Sequence, residues 1–446
     1  MPPHNLAFID PGMRLTPFLC AAATELPAGV RPVFYARRPK PRSILRRCGH
    51  EPAPQRLYRM RRSSIGRNNG AAGSGKHAPD IDPDALMAGL RLTRDRSAVA
   101  TASPAYRAVE HSVRELLDRT APDGLFCWNG SGLAAGIATQ LARQQGIPIA
   151  FGENGYLPGT MQLDPIGVNA AASFGPAHTD LGEILALAWT DRERETLHRL
   201  LDGYRRGERM APRVPRPRGL GASPLAYVHQ TLLDLRNREP RRHANRLVPR
   251  PPGPLPERFV FFPLQVCQDS QLTVHSPVYG NRLDDAIADL VAALAEAAPD
   301  TRLVVKLHPA DRHKTDYDPV IRRFPEVTWL DGGDVRRILP AAAAVVTVNS
   351  TVGLEALVFE RPVIVLGNAA YGFDGLVHRV TDRAQVPAAL AQALHQAPDP
   401  ETVFSYLLFL YFKAFTHAHP GDYSTASKQH FCRRLVQTLG LAEPTD

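Results

Sequence analysis

The chain of 446 residues contains few cysteines, and they do not stand at metal-binding spacings. They occupy positions 20, 48, 127, 267 and 432, and no CxxC pair occurs. A disulfide framework or a zinc site needs closely and regularly spaced cysteines. The pattern is instead typical of reduced thiols in a cytoplasmic protein, and we expect no bound metal.

Long apolar runs are also missing. No stretch of eighteen or more apolar residues occurs, and the first ten residues, MPPHNLAFID, lack a basic start followed by an apolar core. A membrane-spanning helix and a secretory signal need these features. We therefore expect neither of them.

Negative charge is the minority sign, because 53 Lys and Arg residues outnumber 44 Asp and Glu residues and give a net charge of +9. The basic residues concentrate between Arg31 and Arg67 and between Arg205 and Arg250. This balance favours an anionic partner such as a sugar nucleotide, an acidic glycan or a phospholipid surface, although an ordinary arginine-rich surface gives the same composition. Neither cluster interleaves aromatic residues, and no nucleic-acid-binding motif occurs, so we expect no nucleic-acid partner.

The predicted fold class is α/β, because helical patterns alternate with short apolar strands. The length suits two domains, and the alternation predicts two doubly wound, Rossmann-like domains that face each other, with a C-terminal helical tail. The predicted segments are a first domain over 1–215 with a basic, partly disordered insert near 37–80, a Pro- and Arg-rich connection over 216–257, a nucleotide-binding domain over 258–396 and C-terminal helices over 397–446.

In the first domain, polar residues follow two predicted strands, Leu125–Trp128 and Ile147–Phe151. Asn129 opens a Gly-rich turn, NGSG, after the first of these strands. The loop after the second strand holds Glu153 and Asp164 beside several glycines. Irregular segments at the carboxyl ends of strands commonly carry catalytic groups, so both carboxylates are catalytic candidates. The alternative is that they are solvated loop residues.

In the second domain, four polar clusters follow successive predicted strands, at Gln265–Gln271, Lys306–Pro309, Asn349–Thr351 and from Gly367 onward. Parallel strands place their carboxyl ends on one edge of a sheet, so the clusters should converge there. A lysine, a histidine and a helix N-terminus at one edge suit a phosphorylated ligand. His308 can donate a hydrogen bond to a phosphate oxygen.

The stretch from Ala341 to His378 predicts a strand, a polar turn, a helix and a second strand. Ser350 and Thr351 begin the helix, where backbone N–H groups and the positive helix end favour an anion such as a nucleotide phosphate. Glu355 lies one turn further on and could accept the ribose hydroxyls. Two alternatives stay open, because Ser350 and Thr351 can simply cap the helix and Glu355 can be a surface residue.

Three motifs of the second domain, PLQVCQDSQ, KLHP and NSTVGLEAL, together resemble the capsule polysaccharide biosynthesis and export family, and the following RPVIVLG is similar to the nucleotide-sugar half of GT-B glycosyltransferases. The segment ENGYLPGTMQLDPIGVNA of the first domain is similar to that family's acidic, Gly-rich, aromatic loop. The resemblance covers roughly Leu125–Asn169 and Phe259–Val380. That family includes bacterial capsule proteins that add β-linked 3-deoxy-manno-octulosonic acid (Kdo) to a lipid.

The resemblance implies a CMP-activated donor, CMP-Kdo, and no other cofactor. It implies that the donor is bound by Lys306, His308, Asn349, Ser350, Thr351, Glu355 and Gly367. Gln265 and Asp269, together with Asn129 and Asn154, would lie at the cleft.

In the family an acid of the first-domain loop acts as nucleophile or base in a retaining transfer. That role falls on Glu153, with Asp164 in reserve. Some relatives have Glu-Asp-Gly in this loop, and this chain departs from them with Asn154 in place of the second acid.

The resulting hypothesis is a cytoplasmic, metal-independent glycosyltransferase with a nucleotide-sugar donor and a lipid or glycan acceptor. The anionic inner-membrane surface and capsule assembly and export proteins are further candidate partners, since a basic surface attracts anionic lipid. Two alternatives remain, a GT-B transferase for another nucleotide sugar and a non-catalytic accessory protein of polysaccharide assembly and export.

Overall fold

The computed structural model of the protein describes residues 2–53, 81–90, 93–208, 213–236, 245, 247–248, 253–267, 270–311 and 313–441. Most of the predicted basic insert and the candidate residue Asp269 lie outside these ranges. Within them, no helix combines the length and the apolar content needed to cross a bilayer. The described start of the insert is a helix, Pro39–Arg47, where the sequence predicts a loop. This helix is rich in arginine but buries Ile44 and Leu45, which hold it on the first domain.

The strands and helices alternate along the chain as the sequence predicts. The strands are β1 (His4–Ile9), β2 (Val30–Tyr35), β3 (Gly124–Trp128), β4 (Ile149–Asn154), β5 (Met161–Asp164), β6 (Phe259–Pro263), β7 (Arg302–Lys306), β8 (Thr328–Leu330), β9 (Ala344–Thr347), β10 (Val363–Val365), β11 (His378–Arg379) and β12 (Phe415–Thr416).

The α-helices lie between these strands. They are α1 (Thr16–Ala22), α2 (Pro39–Arg47), α3 (Pro83–Gly89), α4 (Thr93–Ala100), α5 (Pro104–Thr120), α6 (Leu133–Gln144), α7 (Leu181–Leu185), α8 (Asp191–Arg205), α9 (Pro224–Arg236), α10 (Ser270–Thr273), α11 (Leu283–Ala297), α12 (Asp318–Arg323), α13 (Val335–Ile338), α14 (Thr351–Val358), α15 (Val386–His395), α16 (Pro400–Phe409) and α17 (Thr425–Leu439).

The second sheet has the strand order β8-β7-β6-β9-β10-β11, and its described pairs are parallel. Counted from the first strand of this domain, the order is 3-2-1-4-5-6, which is the doubly wound Rossmann arrangement. The order reverses between β6 and β9, where Phe261 pairs with Val345. Ligands of such sheets bind outside the carboxyl ends of the strands at this reversal.

The first sheet has the order β2-β1-β3-β4-β5-β12. It is parallel from β2 to β4, and β5 and β12 are then added antiparallel. The segment of β5 was predicted to be a loop, because its four residues show no clear alternation of apolar and polar side chains. The predicted α/β class with two doubly wound domains is otherwise confirmed, since each sheet is covered on both faces by a buried cluster.

The chain crosses between the two domains more often than the predicted boundaries allow. Helices α7 and α8 precede residue 215, yet Ile184, Leu197 and Leu201 pack in the core of the second domain. The amphipathic pattern of α8 shows that it has an apolar face, but it does not show which sheet that face covers.

The end of the chain returns to the first domain. Helix α16 packs on the second domain, but β12 pairs with β5, and α17 buries Phe431 and Leu435 against the first sheet. Lys428 of α17 also forms a largely buried ion pair with Glu25, at 2.8 Å. The predicted helical tail is therefore shared between both domains.

Candidate functional site

A groove of about 580 Å³ lies where the carboxyl end of β4 meets the second domain. It runs along α6 in the first domain and is bounded from the second domain by Val274 and His275. Its first-domain lining includes Asn129, Ser131 and Glu153. Of the two catalytic candidates, Glu153 lines this groove, and it lies within β4 where the sequence predicts a loop.

The Glu153 carboxylate is half-buried and held by amides. One oxygen accepts from Nδ2 of Asn129 at 3.1 Å, and the other accepts from the backbone N–H and Nδ2 of Asn154 at 2.9 and 3.2 Å. Asn129 has a left-handed backbone, with φ of 44°. Its Oδ1 accepts from the N–H and hydroxyl of Ser131 at 3.1 and 2.6 Å. The NGSG turn thus fixes the amide that orients the carboxylate.

The Asp164 carboxylate is buried and hydrogen-bonded to its own neighbours in the chain. It is 3% exposed, and one of its oxygens accepts from the N–H groups of Ile166 and Gly167 at 2.9 and 3.1 Å. The other accepts from the N–H and hydroxyl of Ser173 at 2.9 and 2.6 Å. Four hydrogen bonds saturate the carboxylate inside its own loop, so the geometry does not support Asp164 as the reserve catalytic acid.

Gln265 and Asn349, predicted at the ends of two strands, lie in contact. The Gln265 Nε2 donates to Oδ1 of Asn349 at 2.8 Å, and the Asn349 N–H donates to Oε1 of Gln265 at 3.1 Å. The Asn349 Nδ2 also donates to the carbonyl of His275 at 3.2 Å. This network joins the ends of β6 and β9 to the segment that faces Glu153.

Gly367 explains how that segment packs so closely. A Cβ at this position would lie 2.8 Å from the His275 carbonyl oxygen, which accepts from the Asn368 N–H at 2.8 Å. The residue was predicted to bind the donor. The structure shows that Gly367 lets the backbone of His275 approach the end of β10, and donor binding by Gly367 stays a prediction.

Ser350 caps α14, as in the alternative that assigns this residue a capping role. Its hydroxyl accepts from the Val352 N–H at 3.2 Å, and its carbonyl accepts from the buried hydroxyl of Tyr371. Thr351 is exposed in the first turn of the helix. The positive end of α14 therefore lies at the sheet edge as predicted, and binding of a phosphate there stays a prediction.

Lys306 and His308 lie at the carboxyl end of β7. Lys306 is 7% exposed, and burial lowers its pKa, an effect that the charges of Asp331 and Asp334 oppose. The Nδ1 of His308 accepts from the Ala310 N–H at 3.1 Å. That bond leaves Nε2 as the ring atom that would carry a proton for a ligand.

Glu355 lies in a second cavity, of about 860 Å³, which it lines together with Asn154, Tyr204, Arg213 and Arg336. The Tyr204 hydroxyl donates to its carboxylate at 2.5 Å, and burial raises the pKa of Glu355. Glu355 thus lies in a different cavity from Glu153. Asn154 lines the cavity of Glu355, although its Nδ2 donates to the Glu153 carboxylate.

His275 is the residue of the groove that the sequence analysis missed. Burial lowers its pKa, so its ring is neutral at pH 7. It lies in the irregular segment between α10 and α11. The one sequence feature that could have indicated a site residue was its position after β6, on the carboxyl side of the sheet.

The structure therefore has two Rossmann-like α/β domains with a carboxylate in a groove at their boundary. Residues 232–412 match the family described as capsule polysaccharide biosynthesis protein. The match covers the part of the chain that carries the three motifs of the second domain.

Two curated relatives show the extent of the similarity. Protein FixF of Sinorhizobium fredii is 30% identical over 284 residues, which cover 64% of this chain and 58% of that protein. The capsule polysaccharide export protein KpsS of Escherichia coli is 34% identical over 142 residues, 30% of this chain and 36% of the relative. The chain thus matches less than two thirds of the length of these relatives.

Among solved structures, the chain is similar to the beta Kdo 2,4 transferase of Thermosulfurimonas dismutans KpsC, with a TM-score of 0.43 and 18% identity over 71% of this chain and 87% of that one. It is also similar to the S. aureus MnaA–UDP co-structure, with a TM-score of 0.36 and 11% identity over 99% of both chains. At these identities the likeness concerns the fold alone.

Proposed function

We propose that this protein is a glycosyltransferase of capsule polysaccharide assembly that transfers Kdo or a related acidic sugar from a CMP-activated donor to a lipid or glycan acceptor. The observation that carries the proposal is the placement of Glu153, a half-buried carboxylate held by amides in a groove between two Rossmann-like domains. The match of residues 232–412 to the capsule polysaccharide biosynthesis family supports the same reaction class.

The proposed reaction breaks the bond between the anomeric carbon of the sugar and the phosphate oxygen of CMP. Positive charge develops on the sugar ring, and a carboxylate beside the anomeric carbon stabilises that charge or bonds to the carbon covalently. Glu153 has this role, because the amides of Asn129 and Asn154 fix it in position. The acceptor hydroxyl then forms the new bond and gives up its proton to a base.

The second domain would hold the departing nucleotide. The N-terminus of α14 and Nε2 of His308 offer donors to the phosphate, which leaves as an anion. Gln265 and Asn349 form two hydrogen bonds with each other, and these bonds would hold the strand ends around the donor. In this proposal Glu355 contacts the ribose only if the nucleotide extends toward the second cavity.

A thermal-shift titration with CMP, UDP, GDP and ADP tests the donor. A ligand that binds only the folded state stabilises it by mass action, by about 2.7 kcal/mol at 100 times its Kd. We expect CMP alone to raise the Tm by several degrees. His308→Ala should abolish the shift, and the exposed His395→Ala, on α15, should keep it.

Other outcomes point to the alternatives. A shift with UDP or GDP alone would keep a nucleotide-sugar transferase but discard the CMP donor. The absence of a shift with every nucleotide would favour a non-catalytic accessory protein. Asn154, where some relatives carry a second acid, is the residue that favours this alternative.

A further inference from the structure

Helix α9 turns an apolar stripe toward solvent. Leu225, Val228, Leu232 and Leu235 are 80, 56, 60 and 57% exposed, and we call these four side chains the α9 stripe. They recur every three or four residues, so they lie along one side of the helix. Tyr227 extends the stripe at one edge and is 57% exposed.

The opposite side of α9 attaches it to the first domain. Gln230 is buried, and Ala226 and Leu233 are half-buried. At the start of the helix, the Ser223 N–H donates to Oγ of Ser43 on α2, at 2.9 Å. An ordinary surface helix buries its apolar side and exposes its polar side. Helix α9 packs against the first domain and still exposes its leucines. Such an exposed apolar surface indicates a site that a membrane or another molecule covers.

Basic residues surround the stripe. Arg213, Arg216 and Arg218 are exposed in the segment before α9, and Arg46 and Arg47 are exposed on the neighbouring α2. The Lys40 ammonium lies 4.3 Å from the centre of the Tyr227 ring. Two acidic residues also lie in this region: Glu51 pairs with Arg46 at 3.0 Å, and Asp234 accepts from Gln230 at 3.0 Å.

We propose that the α9 stripe docks into the surface of an anionic phospholipid bilayer. Helices with an apolar side and flanking Lys or Arg residues lie in the plane of the membrane interface. Their leucines enter the acyl boundary while the cations contact anionic headgroups, an attraction that falls off within a Debye length. This inference does not rest on the proposed transfer reaction, because it uses only α9 and its surroundings.

A second copy of the chain fits the stripe less well. Helix α9 has 13 residues, so it is about 20 Å long and about 10 Å wide, and its face offers roughly 200 Å². Stable dimers bury about 800 Å² per partner. Pairing two stripes would also bring the arginines of both copies together, and like charges at an interface are costly.

The docked orientation would bring the second cavity close to the lipid. Arg213 belongs to the basic segment that leads into α9, and it also lines the cavity that contains Asn154 and Glu355. A lipid-linked molecule held in the membrane would therefore meet an opening of the protein beside α9.

Co-sedimentation with vesicles tests the proposal on the full chain. We expect binding to vesicles of phosphatidylcholine mixed with phosphatidylglycerol, and little binding to phosphatidylcholine alone. The double variant Leu225→Ser/Leu232→Ser should bind at least about tenfold more weakly, because two leucines no longer enter the apolar layer. The matched control Leu185→Ser/Leu187→Ser alters two leucines that are each 37% exposed elsewhere and should bind like the wild type.

Charge reversal separates the contribution of the arginines. Arg216→Glu/Arg218→Glu should lose the preference for anionic vesicles, and added salt should weaken wild-type binding. Unchanged binding by Leu225→Ser/Leu232→Ser would overturn the proposal. The proposal would also be overturned if the wild type were a dimer that does not bind vesicles and the same double variant were a monomer. All of these side chains are exposed, and an unchanged Tm would confirm that the variants fold.

Discussion

Glu153→Gln is expected to reduce sugar transfer by at least about 100-fold, the range typical of a lost catalytic acid or base. Glutamine keeps the size of the side chain and can still bond to Asn129 and Asn154. It lacks the negative charge that would stabilise the sugar cation or form the covalent bond. The fold should persist, with a Tm close to that of the wild type, because the side chain is only half-buried.

The measurement is the rate of release of the nucleotide from the donor identified by thermal shift, with the acceptor present. Glu326→Gln is a matched control, since Glu326 is exposed and distant in sequence from every candidate residue. Full activity in the Glu153→Gln protein would show that the groove carboxylate is not part of the chemistry. Loss of activity together with loss of nucleotide binding would indicate a distorted site instead.

Asp164→Ala is expected to destabilise the protein by at least about 3 kcal/mol. The substitution removes four hydrogen bonds from Ile166, Gly167 and Ser173 and leaves their donors without this acceptor in a partly buried loop. Each buried polar group left unsatisfied costs about 1–3 kcal/mol. The loss should appear as a lower urea midpoint and a lower Tm.

Asp300→Ala provides the comparison, because Asp300 is exposed and its removal should change the unfolding free energy little. The two acids, on the neighbouring strands β4 and β5, therefore have different expected phenotypes. Glu153 affects the reaction, and Asp164 affects stability. An Asp164→Ala protein that unfolds like the wild type but has lost its activity would contradict the structural assignment and return Asp164 to the chemistry.

Much of the second domain could be predicted from sequence, because its strands are buried on both faces and read as continuous apolar runs. The polar clusters predicted to follow its strands, at Gln265 and at Asn349, begin two residues after the ends of β6 and β9. The short antiparallel strands β5 and β12 were missed, since MQLD and FT carry no such pattern.

The contacts of the site were harder to predict than its elements. Residues such as Gln265 and Asn349 could be expected near one sheet edge, but their mutual hydrogen bonds join positions 84 residues apart. His275 lies in a segment without periodicity, so nothing local distinguished it. Glu153 and Asn154 line different cavities, which could not be predicted because the sequence predicts that the strand ends at Phe151, whereas β4 continues to Asn154.

A segment that follows the second domain in sequence completes the core of the first domain. Its core needs Phe431, Leu435 and Leu439 of α17, whereas the strands of the second sheet, β6 to β11, follow one another without interruption. During translation the core of the first domain therefore stays incomplete until α17 has been synthesised. The second domain can fold before that point. A chain truncated after Ala414 should accordingly be cleaved by protease in the first domain and resist in the second. Resistance in both would mean that the first sheet closes without the returning segment.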